Sequence, residues 1–156
     1  MSTTKTILAA AAAILCSAAV SAQGPAPGEV RTLEGDGTNP TCLMGDRAMI
    51  GSMWHGRIDA SLVGGQGAIL ILSSGAWPGG ALKTDFGEIL IDLSQRIYTL
   101  SRPLVDNQVQ FGIPVPNDPA LLGERYFAQG LVYGRVQSLC NGLEISIGQD
   151  LRNNNP

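Results

Sequence analysis

The side chain best suited to acid–base work in this chain is its single histidine, His55. A Ser-His-Asp or Cys-His engine would have to use it as the base. The surrounding Met53-Trp54-His55-Gly56 holds no nucleophile elbow, and no G-x-S-x-G occurs anywhere. Ser52 lies three residues away, which on a strand sends the two side chains to opposite faces. His55 therefore reads as a solvated strand residue. Zinc needs three or four N/S ligands, and one histidine plus two oxidised cysteines cannot supply them. The reading carries no catalytic residue, no metal and no cofactor.

Carboxylates are harder to dismiss. Glycoside hydrolysis needs two carboxyl groups, and they can come from distant strands. Asp59, Glu88, Asp92 and Glu144 all fall in strand-like runs. Each alternates with apolar neighbours, which is the pattern of outward-facing residues. Oxygen ligands for calcium cluster in three loops: Glu34 and Asp36 with Asn39, Asp106-Asn107, and Asn117-Asp118. No spacing among them matches an EF-hand loop, and Asp and Asn are also what turns use. Asp85-Phe86-Gly87 matches a kinase tripeptide but has no phosphate loop beside it.

Binding chemistry points to the aromatics. Trp77 lies in a Pro/Gly turn, Trp77-Pro78-Gly79-Gly80, and is the aromatic most exposed by its setting. Tyr126, Phe127 and Tyr133 could form a platform on one sheet face, where exposed rings stack on sugars or partner proteins. They could equally fill the core. Gln129, an amide between Ala128 and Gly130, has no propensity reason to be where it is. It is predicted to be a buried hydrogen-bonding residue that ties a loop to the sheet.

The elements that would position these residues are strands. Glu29 to Leu33 can pair as a short strand after a Pro/Gly-rich arm at 23–41. Ala48 to Leu62 places Trp54, Ile58, Ala60 and Leu62 on one parity and Met53, His55, Arg57 and Asp59 on the other, so Trp54 points in and His55 out. Ala68 to Leu72 is continuously apolar, as in a strand covered on both sides. Ile89 to Leu93 and Ile97 to Leu100 follow. Val109, Phe111, Ile113 and Val115 then alternate most cleanly, and Pro114 and Pro116 put that strand's end at an edge. Asp118-Pro119 with Gly123 reads as one capped helical turn. Arg125 to Tyr133 is a strand, Asn141-Gly142 a tight turn, and Leu143, Ile145 and Ile147 the last alternating run. The expected fold is all-β, an antiparallel β-sandwich, Ig-like or jelly-roll-like, of seven to eight strands. It occupies residues 42–150 as one domain, before a disordered polar tail at 151–156.

The front of the chain reads as an export signal. Lys5 precedes an apolar run from Ile7 to Val20, and Val20-Ser21-Ala22 is a small-residue cleavage site, so 1–22 is predicted to be removed. The apolar run is short for a bilayer span. No second such run exists, so the mature chain has no expected membrane span. Ten basic side chains face 13 acidic ones, and the basic residues are scattered singly, which excludes a nucleic-acid footprint. Cys16 leaves with the signal. Cys42 and Cys140 remain, and in an oxidising compartment two cysteines most simply form one disulfide. Closing a loop of roughly 100 residues, it is worth up to ~4–5 kcal/mol in the chain-entropy model.

The run from Phe111 to Gly148 carries a resemblance. Phe111-Gly112-Ile113-Pro114-Val115-Pro116-Asn117-Asp118-Pro119, Leu121-Leu122-Gly123, Phe127-Ala128-Gln129 and Cys140-Asn141-Gly142-Leu143-Glu144-Ile145-Ser146-Ile147-Gly148 are similar to a C-terminal module of secreted proteins from planctomycete-type and myxobacterium-type bacteria. The resemblance implies a β-sandwich in an exported protein and implies no activity. Cys140 stands where that module usually has Ser, which fits a disulfide private to this chain.

The functional expectation is an exported, non-catalytic structural or interaction module in the periplasm, at the cell surface or in the medium. Its partner would be a protein or glycan of the cell surface. A glycan- or other ligand-binding module is the first alternative and a carboxylate-dependent hydrolase the second. An exposed aromatic row would favour the glycan, facing carboxylates the hydrolase, and an open strand edge assembly.

Overall fold

The computed structural model describes residues 27–149. The expected leader at 1–22, with its cleavage site, and the tail at 151–156 lie outside them. Eleven strands form: β1 (Glu29–Leu33), β2 (Leu43–Gly45), β3 (Ala48–Met49), β4 (Met53–Asp59), β5 (Gly67–Ser73), β6 (Leu82–Thr84), β7 (Gly87–Ile89), β8 (Arg96–Pro103), β9 (Gln108–Pro114), β10 (Arg125–Tyr133) and β11 (Ser138–Gly148). The larger sheet has the order β1-β11-β10-β5-β8, with β3 parallel to the end of β11. The smaller has the order β2-β4-β9, and β6-β7 is a separate hairpin. The two antiparallel sheets pack face to face as a β-sandwich.

Eleven strands replace the expected seven to eight for local reasons. The run 48–62 breaks at Gly51, whose φ of +71° no ladder residue adopts, so it becomes β3, a turn and β4. The strands β2 and β6 have three residues each, too few to show a period. The expected strand at 89–93 ends at Ile89; Asp92 instead caps a 3₁₀ turn at Leu93–Gln95. Asn141-Gly142 is not a turn. Both residues lie inside β11, and Asn141 is 1% exposed.

Alternation sets the core. In β4, Trp54, Gly56 and Ile58 are buried while the residues between them are not, and β9 buries Phe111 and Ile113 in the same way. These meet Leu70, Leu72, Ala128, Val132, Leu143 and Ile145 of the larger sheet. Burying each large side chain of this kind stabilises by about 1.5–3 kcal/mol. Trp54 needs room: a Cβ on Gly45 or Gly56 would lie 2.8 Å from its indole carbons. Its Nε1–H donates to the Asp46 carbonyl at 2.9 Å.

The strands β8 and β9 link the sheets. Asp106 and Asn107, at φ 52° and 61°, form the two-residue turn between them, so a stretch weighed for calcium is a hairpin turn. The strand β8 is one edge of the larger sheet and β9 an edge of the smaller. The expected helical turn forms at Pro119–Leu121, with Asp118 capping the Ala120 N–H at 2.9 Å.

Candidate functional site

The residues with chemical potential do not converge. His55 sits on the outer face of the smaller sheet, 41% exposed, with Asp46 Oδ2 3.7 Å away. Asp59 accepts from the Ser61 N–H and hydroxyl, which hold its carboxyl below the usual range. Glu144 pairs with Arg125 at 3.2 Å on the outer face of the larger sheet. Glu88 and Asp92 correct the sequence reading, because they are buried rather than outward-facing. The alternation around them is that of a ribbon, β7 and its continuation, that folds back over the larger sheet. Among the described residues no three His, Cys, Asp or Glu side chains come together as a metal site would require.

The buried polar groups instead hold the structure together. Gln129 is 2% exposed. Its amide donates to the Glu88 carbonyl at 2.7 Å and the Cys140 carbonyl at 3.0 Å, and accepts from the Leu90 N–H at 3.0 Å. Asn39 repeats the arrangement from the other side, donating to the same two carbonyls and accepting from the Glu88 N–H. Two amides thus fasten β7 to the larger sheet. Cys42, just before β2, is bonded to Cys140 in β11 with 5.4 Å between Cα atoms, so the disulfide staples the smaller sheet to the larger one.

The aromatics separate. Trp77 is half-buried rather than exposed, because its backbone N–H bonds the Leu90 carbonyl at 2.9 Å and the Ala76–Ile91 bridge holds its turn against the chain. Tyr126 has the opposite parity to Phe127 and Tyr133, so the three form no common platform.

What the fold does create is an apolar cleft of about 240 Å³ between the sheets at one end of the sandwich. Trp54, Leu72, Ile113, Ile145 and Ile147 form its floor, and Ile97, Tyr98, Leu121 and Tyr126 stand around it. No charged side chain lines it. A dry apolar cavity of roughly 150 Å³ already takes up benzene, so this one accommodates a ring or a branched side chain. Ile97 is 44% and Tyr98 48% exposed. They are neighbours, yet both face the cleft, because β8 slips register there: Tyr98 pairs with Leu72, Arg96 with Ser73, and Ile97 has no partner. A bulge of this kind re-aims a side chain. No single signal marked the site, since its lining comes from eight separated segments.

The mouth of the cleft lies between the edges β8 and β9. Near the β8–β9 turn they are clasped: Arg102 donates to the Gln110 carbonyl at 3.0 Å and lies over the Phe111 ring. Ile97 and Pro114, farther from that turn, both line the cleft. No protein-family model matches this chain, and no curated protein does.

Proposed function

We propose that the protein is an exported, non-catalytic interaction module that receives an apolar group of a partner protein in the cleft between its sheets. The cleft carries this reading: it is concave, open at the surface and free of charged side chains. None of Asp59, Glu88, Asp92 and Glu144 reaches it, so it offers nothing for hydrolysis. A sugar would need several polar partners around a ring, and the side-chain polar groups here are two tyrosine hydroxyls and an indole N–H already bonded to Asp46. The buried Cys42–Cys140 disulfide supports an oxidising compartment. The predicted leader and the resemblance to a module of secreted proteins support the same address.

The test is a titration with the apolar dye anilinonaphthalene sulfonate. The folded wild-type protein is expected to bind it saturably at one site, with a change in Trp54 emission read in a Trp77→Phe background. Ile97→Asp and Tyr98→Asp, both at the surface, should abolish binding while leaving the melting temperature nearly unchanged. Equal binding by those variants, or none by the wild type, would overturn the proposal.

A further inference from the structure

The free edge of β8 runs along one wall of the cleft, and its hydrogen-bonding phase is fixed by one contact. The Leu104 N–H donates to the Gln66 carbonyl at 3.0 Å, and the register pairs Arg102 with Ala68, Leu100 with Leu70 and Tyr98 with Leu72. Groups two residues apart share a direction, so Leu104, Arg102, Leu100 and Tyr98 turn their N–H and C=O groups toward β5. Thr99 and Ser101 therefore turn theirs to the open side, where no strand among the described residues pairs with them. Pro103 falls on the same open side, where a missing N–H costs the β5 ladder nothing. The opposite edge follows the same rule. The Ala60 N–H bonds the Asn107 carbonyl at 2.8 Å, which turns Gln110, Gly112 and Pro114 outward, and the Gln110 carbonyl is the one Arg102 takes.

Charge points to the kind of chain that could fill this edge. Arg96 and Arg102 stand at the two ends of β8, and neither belongs to an ion pair among the described residues. Six residues of strand separate them by roughly 20 Å. A second copy of β8, paired antiparallel about Thr99, would set Arg96 against Arg102 at both ends, and like charges in that position repel.

Building on the cleft reading above, we propose that the occupant is an extended segment of a partner protein that adds as a strand to β8. It pairs with the backbone of Thr99 and Ser101, places an apolar side chain in the cleft beside Ile97 and Tyr98, and sets acidic residues near Arg96 and Arg102. Main-chain bonds supply the attachment, and the cleft selects the side chain.

The probe is a fluorescein-labelled peptide of alternating valine and threonine with a glutamate at each end, followed by anisotropy. The wild-type protein should bind it, and the Thr99 and Ser101 amide hydrogens should become protected from exchange. Thr99→Pro removes a donor from the open side only, so the β5 ladder stays. It should weaken the peptide at least about tenfold while leaving dye binding in the cleft unchanged. Arg96→Glu should weaken it further at low salt than at high salt. Absence of peptide binding, or unaltered affinity in Thr99→Pro, overturns the strand-addition proposal. If the dye still binds, the cleft reading survives that result; if the dye also fails, both are lost. A dimer of the protein that Thr99→Pro dissociates would also overturn it, in favour of self-pairing.

Discussion

Asn141 pairs with Leu43 as a neighbouring strand would. Its Oδ1 accepts from the Leu43 N–H at 2.9 Å and its Nδ2 donates to the Leu43 carbonyl at 3.0 Å. The same Oδ1 also takes the Cys42 N–H at 3.0 Å. One side-chain amide from the larger sheet therefore satisfies the inner edge of the smaller sheet beside the disulfide. Replacing it with Leu keeps the volume and orphans buried backbone groups, each costing about 1–3 kcal/mol. Asn141→Leu is expected to lower stability by about 3 kcal/mol, read as a shift of the urea midpoint at constant slope. A shift under a third of that would show that the strands hold this junction without the amide.

Gln129 does the equivalent work on the outer face. Its three bonds to Glu88, Leu90 and Cys140 fasten β7 over the sheet. Gln129→Leu should cost ~1–3 kcal/mol and raise amide exchange locally at Glu88 and Leu90. A neutral melting shift would mean that packing of Leu90 alone seats the ribbon.

These two amides show what was legible and what was not. The all-β sandwich, the inward Trp54 and the edge position of Pro114 follow from period two and from a missing donor, and both signals are local. Gln129 stood out because an amide in an apolar run requires a partner. Asn141 did not, because Asn-Gly is a strong turn signal and nothing nearby in sequence shows that Leu43 lies beside it. Glu88 was misplaced for a related reason: alternation tells which side of a ribbon a residue occupies, not whether another layer covers that side. The cleft was illegible because its walls meet only through tertiary packing and a bulge at Ile97.

Glu88 is 1% exposed, and only one of its carboxyl oxygens has work. Oε2 accepts from the Asp36 N–H at 2.9 Å, while Oε1 meets no donor among the described residues. A buried polar atom without a partner is destabilising. Glutamine keeps the acceptor for Asp36, and although its NH2 is then the unpartnered atom, that atom belongs to a neutral amide, which is cheaper to bury than an ionisable carboxyl. Glu88→Gln should therefore raise the urea midpoint at neutral pH, whereas Glu88→Ala, which orphans the Asp36 N–H, should lower it. A fall with Gln would show that both carboxyl oxygens are needed.

Asp92 is expected to couple pH to the cleft. The Ser94 hydroxyl and then the Ser94 N–H bond its carboxyl, with Gln95 adding a third donor, and together they hold it below the ordinary aspartate value of 3.8. A depressed acid stabilises the fold fully above that ordinary value and loses its contribution as pH falls through the lower folded one. The turn it caps leads directly into Arg96, Ile97 and Tyr98, and the Ser73 hydroxyl ties the Asp92 carbonyl to β5 at 2.7 Å. Protonation should therefore loosen the β8 wall before it unfolds the sheets. Glu29, Asp36 and Asp59 are also held low, by Arg31, Lys83 and Ser61, so overall stability declines in the same range. Asp92→Asn separates the two effects. It should weaken dye binding at neutral pH to near the acid value of the wild type, and flatten the pH dependence of binding while the acid unfolding slope from the other three carboxyls persists. An unchanged binding profile in Asp92→Asn would show that the cleft wall stands independently of this cap.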